Sequence, residues 1–288
     1  MRLPNQALGW LVLHSVSAAA LLVLASPSRA DTLIVGNKGE NTVSFIDLAS
    51  GRERARTPTG KAPHEVAVSP DGKKVAVVAY GESSIDLFDV ASAALLRRID
   101  ISPNDGPHGL VWLRDGRLVI AAERSKSLVV ADPRTGTFRS VATGQAGSHM
   151  VAVSPDRRTA YVANIMAGTV SVIDLKRMTK RGDIATGGYP EGIAISPDGR
   201  ELWVGDDSAP KLRVIDLRSG KVAQTLKIDS VALRVAITPD GSSVITSNMS
   251  TGTLNVFDRR KREQVRTIPV SGSPKAMQVT IIFGRDAG

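Results

Sequence analysis

The feature that most constrains this chain is a unit of about 42 residues that recurs six times. An alternating stretch ends in aspartate at Asp47, Asp89, Asp132, Asp174, Asp216 and Asp258, at intervals of 42, 43, 42, 42 and 42. Val43-Ser44-Phe45-Ile46-Asp47 and Val170-Ser171-Val172-Ile173-Asp174 are examples. A second landmark is an apolar run that enters a turn: Val66 to Gly72, Val151 to Arg157, Ile193 to Gly199 and Val235 to Gly241 each carry Ser/Thr-Pro-Asp. A weaker copy, Leu110 to Gly116, falls where the period requires it. Proline presets φ at the second turn position, and Asp and Gly tolerate the tight geometry that follows.

Two further alternating runs complete each unit, such as Tyr161-Val162-Ala163-Asn164 before the aspartate landmark and Val222 to Lys227 after it. Four short strands per unit of this length describe the blade of a β-propeller. One such sheet cannot bury both faces, whereas a ring of them can. The expectation is therefore an all-β chain forming a single propeller of six four-stranded blades over residues 31–288. The repeat starts at a second strand (Thr32 to Asn37), and Ala276 to Phe283 supplies an extra first strand. Joined, the two ends would complete the last blade and remove the open edges. A chain truncated at its C-terminus would instead belong to a seven-bladed ring.

Tyr161-Val162-Ala163-Asn164 followed by Gly168 to Leu175, and Pro190 to Gly199, resemble the YVTN-type β-propeller repeat family, which includes YncE-like exported bacterial proteins. The resemblance extends over nearly all of residues 31–288. It implies the propeller fold; for function it implies a range, from binding proteins to lactonases and parts of redox enzymes.

Residues 1–30 stand apart. Arg2 precedes an apolar stretch from Leu8 to Leu24, and Ser28-Arg29-Ala30 places small residues at the −3 and −1 positions. That order is a secretory signal, cleaved after Ala30, and a periplasmic or secreted location is expected. The chain has no cysteine, which excludes disulfides, thiolate metal sites and covalently attached c-type haem.

Beyond residue 30 the histidines are His64, His108 and His149, each six residues before its turn landmark. They occupy one repeat position in three consecutive units, at the mouth of the innermost strand. Glu191 and Leu233 take that position in the next two units. Glu65 and Arg234 lie one position further along and are candidate supporting groups. His64, His108, His149 and Glu191 around a channel mouth would suit a single Zn, Cu or Fe ion with an open coordination position. The competing reading is a metal-free ligand site formed by the same residues with Glu65 and Arg234. Asn37, Asn164, Asp206 and Asn248 share another repeat position, where a strand-end turn role is the economical explanation.

The opposite face collects basic turns, among them Arg177, Lys180, Arg181, Arg259, Arg260, Lys261 and Arg262. The formal charge of +9 becomes +7 without Arg2 and Arg29, and this rim is a candidate surface for an anionic partner. Nucleic acid is disfavoured by the scarcity of aromatic stacking platforms, since aromatics make up 4% of residues. No nucleophile elbow, phosphate loop or zinc-helix motif is present. The leading expectation is a monomeric, exported propeller that binds a ligand or protein partner at its channel mouth without catalysis. A metal-dependent enzyme, lactonase-like or oxidoreductase-associated, is the alternative. DNA or anionic-envelope binding through the basic rim is the second.

Overall fold

The computed structural model describes residues 31–248 and 251–270. All of the regular structure among them is β-strand. The first sheet holds β1 (Thr32–Asn37), β2 (Thr42–Asp47) and β3 (Glu53–Pro58). The second holds β4 (Pro63–Val68), β5 (Lys74–Ala79), β6 (Ser84–Asp89) and β7 (Leu95–Asp100). The third holds β8 (Pro107–Trp112), β9 (Leu118–Ala122), β10 (Ser127–Ala131) and β11 (Phe138–Ala142). The fourth holds β12 (Ser148–Val153), β13 (Thr159–Asn164), β14 (Thr169–Asp174) and β15 (Thr179–Ala185). The fifth holds β16 (Pro190–Ile195), β17 (Glu201–Asp206), β18 (Lys211–Asp216) and β19 (Lys221–Lys227). The sixth holds β20 (Arg234–Ile237), β21 (Ser243–Asn248), β22 (Thr253–Asp258) and β23 (Glu263–Pro269).

Within each sheet the strands pair antiparallel in chain order. The sheets meet through their first strands, with β4 against β8, β8 against β12, β12 against β16 and β16 against β20. The result is the propeller expected from the repeat. The first sheet has three described strands, and the closing segment 276–283 lies outside the described residues, as does the 1–30 segment.

Both landmarks have a local hydrogen-bond cause. Each repeating aspartate accepts a backbone N–H from the turn it opens, as in Ser50 N to Asp47 Oδ1 at 2.8 Å, Arg177 N to Asp174 Oδ1 at 2.9 Å and Ser219 N to Asp216 Oδ1 at 2.7 Å. In the other turn Ser69 Oγ donates to Asp71 Oδ1 at 2.6 Å while accepting from Lys74 N at 2.9 Å, and Ser154 and Ser196 repeat the pattern. A carboxylate that mimics the backbone acceptor makes the turn self-sufficient, which is why the residue recurs.

The core lies between neighbouring sheets. Ala76, Val78, Ile99, Leu118 and Ile120 join the second and third sheets; Val162, Leu128 and Ile173 join the third and fourth. Between the fifth and sixth, Trp203 is fully buried with Leu212, Val214 and Val244, and its indole N–H donates to Glu201 Oε2 at 3.1 Å. Each blade shields its neighbours' faces, so the ring rather than the single sheet is the stable unit.

Candidate functional site

The first strands do not run straight into the axis. In β4 the pairing jumps from Pro63↔Ala79 to Val66↔Val77, in β8 from Pro107↔Ala122 to Leu110↔Ile120, in β12 from Ser148↔Asn164 to Met150↔Ala163, and in β16 from Pro190↔Asp206 to Ile193↔Val204. Each jump inserts one residue, so each strand carries a β-bulge where the repeat places His64, His108, His149 and Glu191. A bulge breaks the alternation of side-chain direction and re-aims the residues within it. This is how two sequence neighbours, His64 and Glu65, both come to lie in one buried cluster.

The re-aimed side chains form a closed circuit. The His64 and His108 rings have centroids 3.9 Å apart, and those of His108 and His149 are 3.6 Å apart. His149 Nε2 lies 2.9 Å from Glu191 Oε2, and its Nδ1 lies 3.0 Å from Glu123 Oε2. Arg234 Nη1 donates to Glu191 Oε1 at 2.6 Å, and Nη2 donates to Glu65 Oε1 at 2.8 Å. His64 Nδ1 stands 3.7 Å from Glu65 Oε1 and completes the loop. Tyr80 caps it from the rim, its ring 5.5 Å from that of His64 and 5.6 Å from that of His108. Lys38 Nζ and the Arg124 guanidinium lie over the Tyr80 ring at 5.1 and 4.6 Å.

The circuit gives two adjacent imidazoles opposite protonation states. Burial presses His108 well below the usual histidine range, and the charges of His149 and Arg234 push the same way, so its ring is neutral at pH 7. Its Nδ1 is buried with no hydrogen-bond partner. Burial also works against the charge on His149, but the hydrogen bonds to Glu123 and Glu191 outweigh it and raise that ring to about 9. His149 is therefore an imidazolium whose two N–H groups both point at carboxylates. Glu65 and Glu191 are held below their ordinary values although burial opposes it, Glu65 by His64 and Arg234 and Glu191 by His149 and Arg234.

The structure thus brings His64, Glu65, His108, His149, Glu191 and Arg234 together, but not as the metal set expected from the repeat. Among the described residues the groupings within ligand range are His64–Glu65–His108 and His108–Glu123–His149. Glu191 belongs to neither; it faces His149 and Arg234 instead. The repeat positions of the histidines do not single out Glu123, although the sequence carries a signal for it. It is the first residue after the second strand of its unit, the position of Lys38, Tyr80 and Asp207 in other units. That position borders the channel mouth: burial, and then the Glu191 charge, raise Asp207.

Asn37 and Asn164 hold their strand ends, with Asn164 Nδ2 donating to Thr169 Oγ1 at 3.1 Å and Ser171 Oγ at 2.9 Å. Asn248 does likewise to Thr253 Oγ1, and Asp206 accepts from Tyr189 N and pairs with Arg213. On the opposite face much of the basic rim is neutralised in place. Arg177 and Arg181 pair with Asp174, Lys180 with Asp183, Arg259 with Glu201 and Asp198, and Arg262 with Glu201. Arg260 and Lys261 lie exposed. An open groove of about 690 Å³ on that face, lined in part by Asp71, Trp112 and Arg114, is remote from the histidines, at the far ends of β4 and β8.

Fold and site together define a β-propeller with a buried, charged cluster where its inner strands begin. The family model described as Lactonase, 7-bladed beta-propeller matches residues 34–233, and the chain belongs to that family. The matched segment carries every residue of the cluster except Arg234. Among solved structures the chain is similar to a Kuenenia stuttgartiensis hydrazine synthase chain, with a TM-score of 0.74, 18% identity and 83% of each chain covered, a likeness of fold. No curated protein matches the sequence.

Proposed function

We propose that this chain is a lactonase-like hydrolase whose reaction centre is the histidine–carboxylate cluster at the channel mouth. The observation that carries the reading is the pairing of a neutral imidazole, His108, with an imidazolium, His149, at a centroid separation of 3.6 Å. Neighbouring titratable groups driven to opposite protonation states are the usual sign of an acid and base assignment. Opening a lactone needs a lone pair to activate water and positive charge where the carbonyl oxygen becomes an oxyanion. His108 offers the lone pair; His149 and Arg234 supply the charge. Family membership supports the same direction.

The test is acid release from simple δ-lactones and aryl lactones by untagged protein in a pH-stat. Hydrolysis by wild type that is lost in His149→Gln and in Arg234→Gln is the expected result. A folded wild-type chain that hydrolyses none of them above the buffer rate sinks the proposal.

A second reading, binding without turnover, rests on the circuit itself: Glu65, Glu191, Arg234 and His149 already pair with one another. Ligand-induced stabilisation in the absence of hydrolysis is its mark. In either case the YVTN resemblance and the 1–30 segment support an exported protein, and Asp31 as the mature N-terminus in a periplasmic fraction is the outcome to look for.

A further inference from the structure

We infer that His64, Glu65 and His108 form a binding site for a single divalent first-row transition ion. The donor atoms of these three side chains lie within 4.8 Å of one another. They sit on the bulges of two adjacent inner strands, where packing rather than a mobile loop fixes them. His108 is 2% exposed, and its Nδ1 has no hydrogen-bond partner. A buried polar nitrogen left without a partner costs about 1–3 kcal/mol. An ion bound at that nitrogen would remove the deficit, because an imidazole nitrogen without a proton presents a lone pair.

The second grouping, His108 with Glu123 and His149, is the weaker candidate on geometry. Both ring nitrogens of His149 already face carboxylates, at 3.0 and 2.9 Å, and a ring that donates from both nitrogens has no lone pair for a metal. Glu65 is different, since a carboxylate carries about four lone-pair positions and can ligate an ion while keeping its contact with Arg234. Two imidazoles and one carboxylate form the donor set used for Zn²⁺ and for Fe²⁺ sites that keep open positions. The partly buried Tyr80 stands beside both histidines at the rim, where an open position would meet solvent or ligand. Such an ion would take over water activation from the bare imidazole. The inference concerns binding, and it stands or falls independently of lactone turnover.

The experiment uses untagged protein stripped with chelator and titrated with Co²⁺, followed by its visible absorption, and with Zn²⁺, followed by calorimetry. About one ion per chain is expected. Loss of an outer partner of a metal ligand typically costs about 10–100-fold in affinity, so His64→Ala and His108→Ala should each cost at least that much. His149→Gln and Glu123→Gln should retain the site. If His108→Ala fails to fold by circular dichroism, Glu65→Gln replaces it, with at least tenfold weaker binding expected. A folded wild-type chain that takes up no stoichiometric ion overturns the inference. So does binding that survives in His64→Ala and disappears in His149→Gln. Lactone hydrolysis measured on the stripped protein reads the proposed function separately.

Discussion

His149 stands between Glu191, 2.9 Å from its Nε2, and Glu123, 3.0 Å from its Nδ1, while its face lies against the neutral ring of His108. One imidazolium therefore joins the innermost strand of the fifth sheet to the second-strand exit of the third. Its charge is part of what holds the mouth of the ring together.

That charge gives stability a pH dependence of known sign. The His149 ring is raised above the ordinary histidine value, to about 9. Its contribution is fully present below about 6.5, the unfolded value, and is lost as pH rises through 9. Urea unfolding of wild type should weaken by roughly 2–3 kcal/mol relative to His149→Gln between pH 7 and 10. Parallel pH profiles for the two proteins would contradict the assignment.

Arg234 neutralises two buried carboxylates at once, Glu65 and Glu191. Arg234→Met leaves both without their cation and should cost about 3–5 kcal/mol in urea denaturation. Adding Glu65→Gln and Glu191→Gln to that variant should recover much of the loss. A single variant as stable as wild type would show that the ion pairs are not formed.

Inner strands approach so closely that two positions admit only glycine. A Cβ on Gly109 would lie 2.7 Å from Met150 Cα and 2.8 Å from the His149 carbonyl oxygen; one on Gly192 would lie 2.8 Å from Arg234 Cα and from the Leu233 carbonyl oxygen. Both obstacles are backbone. Gly109→Ala and Gly192→Ala should each destabilise by about 1–3 kcal/mol through overpacking, with the site displaced along with the strand. Differential scanning calorimetry decides it.

Arg157 holds φ at +60° in the turn where Gly72, Gly199 and Gly241 hold +71°, +69° and +69°. A left-handed conformation costs an L-residue with a side chain about 1–2 kcal/mol. Arg157→Gly should therefore raise stability, by about 1 kcal/mol once the extra freedom of glycine in the unfolded chain is subtracted. A lower unfolding midpoint would refute the strain.

The sequence by itself determined the fold and the repeat positions that matter. Six aspartates and four Ser/Thr-Pro-Asp turns are legible because each is closed by hydrogen bonds within two to five residues, as at Asp47 and Ser69. His64, His108 and His149 share a repeat position for the same reason: the landmark that locates them is local. Only the tertiary structure decided which groups those histidines meet. The bulges that turn Glu65 inward depend on pairing with the next strand. The partners then come from far along the chain: 26 residues separate His149 from Glu123, 43 separate Arg234 from Glu191, and 169 separate Arg234 from Glu65. Which carboxylate meets which cation, and so which imidazole is charged, is set by how the blades crowd the axis. The energy of a buried charge depends on neighbours within a few ångströms, and sequence spacing does not report them.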